Sequence, residues 1–182
     1  DIHIHMMGGE FCGNASRSAA AYAAQSAGVL EKTYRVSCSG CEDILSAHVK
    51  RRDDGQYDAA ITMPLPSSIT AVIVDVGGMP HRFYRVDFGG IVHFVYLGHQ
   101  LETLDKDLYW QSLQDYAADE NYEAYGLILY DPSCGTMLPA VYVTATATLY
   151  WEQSCGSGSA AVAAVAACLS RKDFVAPLCQ PG

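Results

Sequence analysis

CGNASRSAAAYAA (Cys12 to Ala24) and CGSGSAAVAAVAA (Cys155 to Ala167) are two versions of one pattern, set 143 residues apart. Aligned on their cysteines they agree at 7 of 13 positions. Ala raises that count by itself, but the Cys-Gly opening and the Ser at the fifth position do not depend on composition. The small-residue runs extend to Gly28 and to Leu169. Ala is the best helix former, and Gly28 is a natural C-terminal stop. Helices without a polar face are expected to be buried, with Ala letting surrounding backbone come close. An acidic residue stands just before each cysteine: Glu10 before Cys12 and Glu152 before Cys155. Two copies of strand, Cys-Gly and buried helix predict two pseudo-symmetric lobes, each a sheet wrapped on one helix.

Working outward, stretches rich in β-branched and aromatic residues read as strands. They lie at Thr33–Cys38, Ile44–Lys50, Tyr57–Met63, Thr70–Val76, Ile91–Leu97, Tyr125–Tyr130 and Pro139–Trp151. One amphipathic helix is expected over Asp105–Asp119, with Leu104, Leu108 and Tyr116 on its apolar side and acids in its first turn. The fold class is therefore α+β, with curved, mainly antiparallel sheets. The lobes are expected over residues 1–56, carrying Cys12, and 57–182, carrying Cys155. Asp1-Ile2-His3-Ile4-His5 reads as a strand in progress and Gln180-Pro181-Gly182 as a turn with nothing after it, the pattern of an excerpt from a longer protein.

Composition narrows the function. The 182 residues carry 20 Asp and Glu against 11 Lys and Arg, a formal charge of −9. Basic residues never cluster beyond Lys50-Arg51-Arg52, so nucleic acid is an improbable partner. The longest apolar run, Ala160 to Leu169, is half of a bilayer span and mostly Ala, which predicts a soluble protein. Seven scattered cysteines in a chain with ample core material suggest reduced thiols and a cytoplasmic setting. Cys38-Ser39-Gly40-Cys41 reads as a hairpin turn in preference to half a zinc site, because no second CxxC accompanies it. His3 and His5 alternate on one strand, a weak signal for a metal edge. Cys134, Cys168 and Cys179 read as packing or surface residues, and Glu10 as a helix-start anion.

A cysteine at a helix N-terminus sits among unpaired N–H groups and the positive end of the helix dipole, which is expected to lower its pKa from about 8.5. The same N–H groups can hold a carboxylate. One such cysteine could be a nucleophile. Two that face each other suggest a base on one side of a carbon and an acid on the other, which is the apparatus for inverting a stereocentre beside a carboxylate. That chemistry needs no metal and no cofactor, and the chain carries no HExxH, no strand-linked GxGxxG and no GKS or GKT.

GGEFCGNAS (Gly8 to Ser16) and WEQSCGSGS (Trp151 to Ser159) resemble the two active-site motifs of the diaminopimelate epimerase-like superfamily of cofactor-independent racemases. Within it, EFCGNA at Glu10–Ala15, VSCSGCED at Val36–Asp43, WEQSCGSG at Trp151–Gly158 and the closing KDF…QPG at Lys172–Gly182 look most like histidine racemases that supply D-histidine for opine-type metallophores. The resemblance covers essentially the whole chain. It implies that Cys12 and Cys155 are the acid–base pair. It further implies that Gly13, Asn14, Gly156 and Ser157 bind the substrate's α-carboxylate through backbone N–H groups, and that Glu152 grips the ammonium or tunes the second thiol. His3 lies where such proteins often contact substrate. A family segment before the first motif and closing strands after QPG are not in this sequence. A homodimer is a further expectation.

The departures bear on substrate. Diaminopimelate epimerases place a Glu-Arg pair before the second cysteine to clamp a distal carboxylate, whereas this chain has no Arg or Lys between Lys106 and Arg171. Burying an unpaired carboxylate is expensive, so L-histidine interconverting with D-histidine is the expected reaction, ahead of diaminopimelate or another amino acid. The family's GNPH-like element corresponds either to Gly77–His81 or to Gly89–His93. Two other classes remain open: a non-catalytic amino-acid-binding relative, and a proton-shifting isomerase of the phenazine-biosynthesis type, which does not rely on a thiol pair.

Overall fold

A computed structural model describes residues 1–182. The first sheet has four strands in the order β1 (Ile2–Ile4), β2 (Glu31–Cys38), β3 (Leu45–Arg51) and β4 (Tyr57–Ile61). β1 runs parallel to β2, and the other pairs are antiparallel. Helix α1 (Gly13–Ser26) packs on this sheet. The second sheet has six strands: β5 (Ser68–Val76), β6 (Met79–Asp87), β7 (Val92–Leu97), β8 (Ala124–Asp131), β9 (Thr136–Val143) and β10 (Thr148–Trp151). Their order in the sheet reverses the order in the chain, and only β7 and β8 are parallel, joined by a crossover through α2 (Lys106–Tyr116). Helix α3 (Gly156–Ser170) packs against β6, β7 and β8. The result is the expected α+β arrangement of two mainly antiparallel sheets, each against a small-residue helix.

Several expectations are corrected. β4 pairs with β3 from Tyr57 to Ile61, so the first sheet runs past residue 56 and the sheets part between Ile61 and Ser68. The second sheet is not wrapped on one helix alone. β8 is buried along all eight residues because α3 covers one face and α2 the other. Ala124, Ile128 and Tyr130 join the core around α3, while Tyr125, Leu127 and Leu129 join Tyr109, Trp110 and Leu113 of α2. The inward side of α2 is thus Tyr109, Trp110 and Leu113, with Leu108 and Tyr116 partly exposed. The helix is also shorter than expected; Asp105 caps it, accepting from the Leu108 N–H at 3.1 Å.

Nor is α1 buried all round. Gly13, Ser16, Ala20 and Ala24 form one buried stripe at helical spacing, while Tyr22 is 71% exposed on the other side. The stretch Pro139–Trp151 is not one strand but the hairpin β9–β10, turned by a short 3-10 segment at Thr144–Thr146 with Ala147 at φ 49°. β6 was not anticipated. It is joined to β5 by Gly77-Gly78, both at positive φ, a two-residue hairpin turn.

One apolar core serves both sheets. Phe11, Val36, Val49 and Ala20 from the first half pack in the same cluster as Ile128, Met137, Val162 and Val165 from the second. At the seam the backbones of Gly40 and Gly90 touch: a Cβ on Gly90 would collide with the Gly40 carbonyl oxygen and lie 2.5 Å from its Cα. No helix is long and apolar enough to cross a membrane.

Candidate active site

The two Cys-Gly motifs fold alike. Cys12 caps α1 with φ −135° and ψ 104°, and Cys155 caps α3 with φ −128° and ψ 112°. Each sulfur accepts from the N–H three residues on: Ala15 to Cys12 Sγ at 3.4 Å and Gly158 to Cys155 Sγ at 3.3 Å. Each carbonyl accepts from the serine four residues on, Ser16 Oγ at 3.0 Å and Ser159 Oγ at 2.8 Å. The shared Ser at the fifth position thus closes the first turn in both copies.

The two helix starts meet. A Cβ on Gly156 would stand 3.4 Å from Asn14 Oδ1 and 3.8 Å from the Gly13 carbonyl carbon. Asn14 Nδ2 donates to the Ser154 carbonyl at 2.6 Å, tying the first motif to the approach of the second. Both cysteines open onto one cavity of about 230 Å³ whose wall also includes Gly13, Asn14, Glu152, Gly156 and Ser157. Thus every residue singled out for the site is brought together there except His3. His3 is exposed on β1 and its Nδ1 lies 2.7 Å from Ser37 Oγ; it is not on the cavity wall.

The electrostatics differ from the expectation of lowered thiol pKa values. Burial pushes the Cys12 thiol above its ordinary range, against the pull of the Ala15 and Asn14 N–H groups. Burial pushes the Cys155 thiol up as well, opposed by Ser157 and the Gly158 N–H and reinforced by the nearby Glu152 and Cys12. Glu152 is itself raised by burial. Loss of water outweighs the helix-start donors at both sulfurs, which favours the neutral thiols and makes either thiolate, once formed, a stronger base than a solvated one.

Some contributors escaped the sequence reading. Glu10 lies on the cavity wall and its Oε2 is buried with no hydrogen-bond partner. Gln180 braces α3: its Oε1 accepts the Cys155 N–H at 2.7 Å and its Nε2 donates to Ser159 Oγ at 3.1 Å. The Cys38–Cys41 turn leads from β2 towards β3, and Ser39 within it accepts the Met6 N–H at 2.8 Å and donates to the Glu10 carbonyl at 3.1 Å. It supports the segment leading into Cys12. Of the two Gly-Gly-x-x-His elements, only the second reaches the site. His93 is fully buried beside Ser157, whereas His81 lies among Tyr96 and Tyr109 in the α2 core.

This two-lobed architecture is that of the proline racemase type. A probable proline racemase from Agrobacterium radiobacter K84 superposes with a TM-score of 0.62 over 92% of this chain and 55% of that one, at 15% identity, which speaks to the fold alone. The family is resolved more narrowly by sequence. The family model described as "Histidine racemase CntK N-terminal domain" matches residues 1–182, and the chain belongs to that family. A histidine racemase of Fusobacterium nucleatum subsp. nucleatum is 34% identical over 168 residues, covering 89% of this chain and 61% of that protein. A histidine racemase of Staphylococcus aureus is 27% identical over 162 residues, covering 89% of this chain and 58% of the relative. The chain spans about 60% of the length of the curated relatives it matches.

Proposed function

We propose that the protein carrying this chain is a cofactor-independent amino-acid racemase, that Cys12 and Cys155 are its acid–base pair, and that histidine is its substrate. The observation that carries this reading is the pairing of two cysteine-capped helix starts on one small cavity. In the reaction one sulfur, as thiolate, takes the α-proton. The electron pair of the C–H bond delocalises into the α-carboxylate, whose growing charge is met by N–H groups at Gly13, Asn14, Gly156 and Ser157. The opposite thiol then gives a proton to the other face of the carbon. The sulfurs end with their charges exchanged, and the substrate has gained one proton and lost one. In this reading Glu152, on the cavity wall, receives the α-ammonium.

The substrate reading rests on the histidine racemase relatives and on the cavity wall, which offers the carboxylates of Glu10 and Glu152 and no Lys or Arg. An imidazole enters such surroundings neutral or as a donor to a carboxylate. A distal carboxylate would meet like charge. D-histidine for an opine-type metallophore, made in the cytoplasm, is the corresponding role. The test is incubation of the full protein with L-histidine, and separately with LL-diaminopimelate, in D₂O, followed by chiral chromatography and mass spectrometry. D-Histidine with α-deuterium is expected. Turnover of diaminopimelate with histidine untouched would overturn the substrate, and no α-exchange with any amino acid would leave a binding protein.

A further inference from the structure

His93, on β7, has no exposed surface. The neighbouring strand makes room for its ring: its register partner on β8 is Gly126, where a Cβ would lie 2.6 Å from His93 Nδ1 and 2.7 Å from the Ala140 carbonyl oxygen. Phe88 closes another side edge-on, with ring centroids 6.3 Å apart. A polar ring in the core is costly unless hydrogen-bonded. Here only one nitrogen has a partner: Nε2 lies 2.8 Å from Ser157 Oγ, while Nδ1 has none. Ser157 Oγ in turn lies 3.5 Å from Cys155 Sγ. The chain His93–Ser157–Cys155 therefore runs from the core into the first turn of α3.

The direction of that chain follows from proton counting. Burial pushes His93 down to about 3, so the ring is neutral and carries one N–H. A proton on Nδ1 would strand a donor in the core and make Nε2 an acceptor, drawing the Ser157 hydroxyl proton to the ring and turning oxygen lone pairs towards the sulfur. A proton on Nε2 donates to Ser157 Oγ and frees the hydroxyl proton for Cys155. Only the second arrangement suits a thiolate. The other copy lacks it. Asn14 stands at the equivalent place in α1, and its amide donates to the Ser154 carbonyl and not to Cys12 Sγ. Cys155 is also buried where Cys12 is only partly so, and a dedicated donor matters more at the drier sulfur.

We infer that His93 is a positioning residue which, as the Nε2–H tautomer, holds the Ser157 hydroxyl on Cys155 Sγ and so makes Cys155, ahead of Cys12, the first of the two thiols to ionise in the free protein. This rests on Cys155 being one of the two acid–base thiols. The test is alkylation of the full protein with iodoacetamide across a pH series, with Cys12 and Cys155 quantified separately by peptide mapping. Ser157→Ala and His93→Leu are each expected to move the Cys155 midpoint up by about one to two pH units, a loss of roughly tenfold to a hundredfold in thiolate. The double variant shifts no further than Ser157→Ala, and Cys12 does not move. His93→Gln, whose amide can stand in for Nε2–H, restores much of the wild-type midpoint. His93→Asn is too short to do so, and this pair carries the test if His93→Leu does not fold. A shift from Ser157→Ala with none from His93→Leu or His93→Asn, additive shifts, or an equal shift at Cys12 would overturn the inference. The readout requires no turnover, so inactivity towards histidine leaves it standing, and unmoved midpoints in an active racemase defeat it.

Discussion

Gly90→Ala tests whether the backbone contact at the seam sets the spacing of the two thiols. The added Cβ would collide with the Gly40 carbonyl oxygen and sit 2.5 Å from Gly40 Cα and 2.6 Å from its carbonyl carbon. All three atoms are backbone, so no side-chain rotation relieves the overlap, and a separation of roughly 3.5 Å requires the two loops to part by about 1 Å. Gly40 cannot retreat freely, because its own pro-Cβ position is 2.5 Å from the Phe11 N, one residue before Cys12. Overpacking of this kind costs about 1–3 kcal/mol, and here the upper end is expected. For a chain of this size about 3 kcal/mol corresponds to a fall in Tm of roughly 6–12 °C. A 1 Å displacement next to the chemistry can remove about a hundredfold of rate, so kcat on histidine should drop by one to two orders of magnitude in the folded variant. Gly9→Ala is the control. Gly9 has φ 79° but nothing within 4 Å of a Cβ, so it bears only the left-handed penalty of about 1 kcal/mol. Differential scanning calorimetry and a chiral assay measure both. Equal losses of Tm and kcat for the two variants would refute the reasoning.

Cys12→Ala and Cys155→Ala should each abolish racemisation, because inversion needs a donor on the opposite face, while slow α-hydrogen exchange from one enantiomer can persist; near-normal racemisation by either contradicts the pairing. Oxidant should inactivate the protein reversibly through a Cys12–Cys155 disulfide seen by peptide mapping, and full activity with that bridge formed would count against two facing thiols. Burial raises both thiols above their ordinary range, so kcat/KM should climb from pH 7 to pH 9 as the first thiolate forms, then fall once both ionise; a profile that is flat or declines over that interval is the contrary result. The same shifts favour the neutral thiols in the fold, so their share of stability is present below the ordinary thiol pKa and is lost as pH rises through the raised values, which urea midpoints at pH 8 and pH 10 will show.

The thiol-bearing turns were legible because both carry the same local physics twice: small residues for close helix packing, a sulfur cap and a serine that closes the first turn. Strands with alternating or continuous β-branched residues were equally plain. β6 was not, because Pro80, His81, Arg82 and Arg85 interrupt its apolar pattern and register with β5 and β7, not propensity, holds it in place. The β9–β10 turn uses Thr-Ala-Thr-Ala, which lacks the Gly, Asn or Pro that normally marks a reversal. Asp53-Asp54-Gly55 is a turn inside the first sheet, which joins β3 to β4 and carries that sheet past residue 56. Glu10 and His93 stood out in the sequence, one just before Cys12 and the other closing a Gly-Gly-x-x-His element, but their places at the site, like that of Gln180, come from tertiary contacts.

Cysteine is an unusual choice for starting a helix. Sulfur is a weak acceptor, and its contacts to the Ala15 and Gly158 N–H groups, at 3.4 and 3.3 Å, are the poor relations of a serine or aspartate cap. At Cys12, mutation to serine should therefore steady the helix while removing the chemistry. Natural drift in a lineage released from selection for turnover would run in that direction. A descendant with Ser at position 12 would keep this cap and gain a stronger acceptor for the Ala15 N–H.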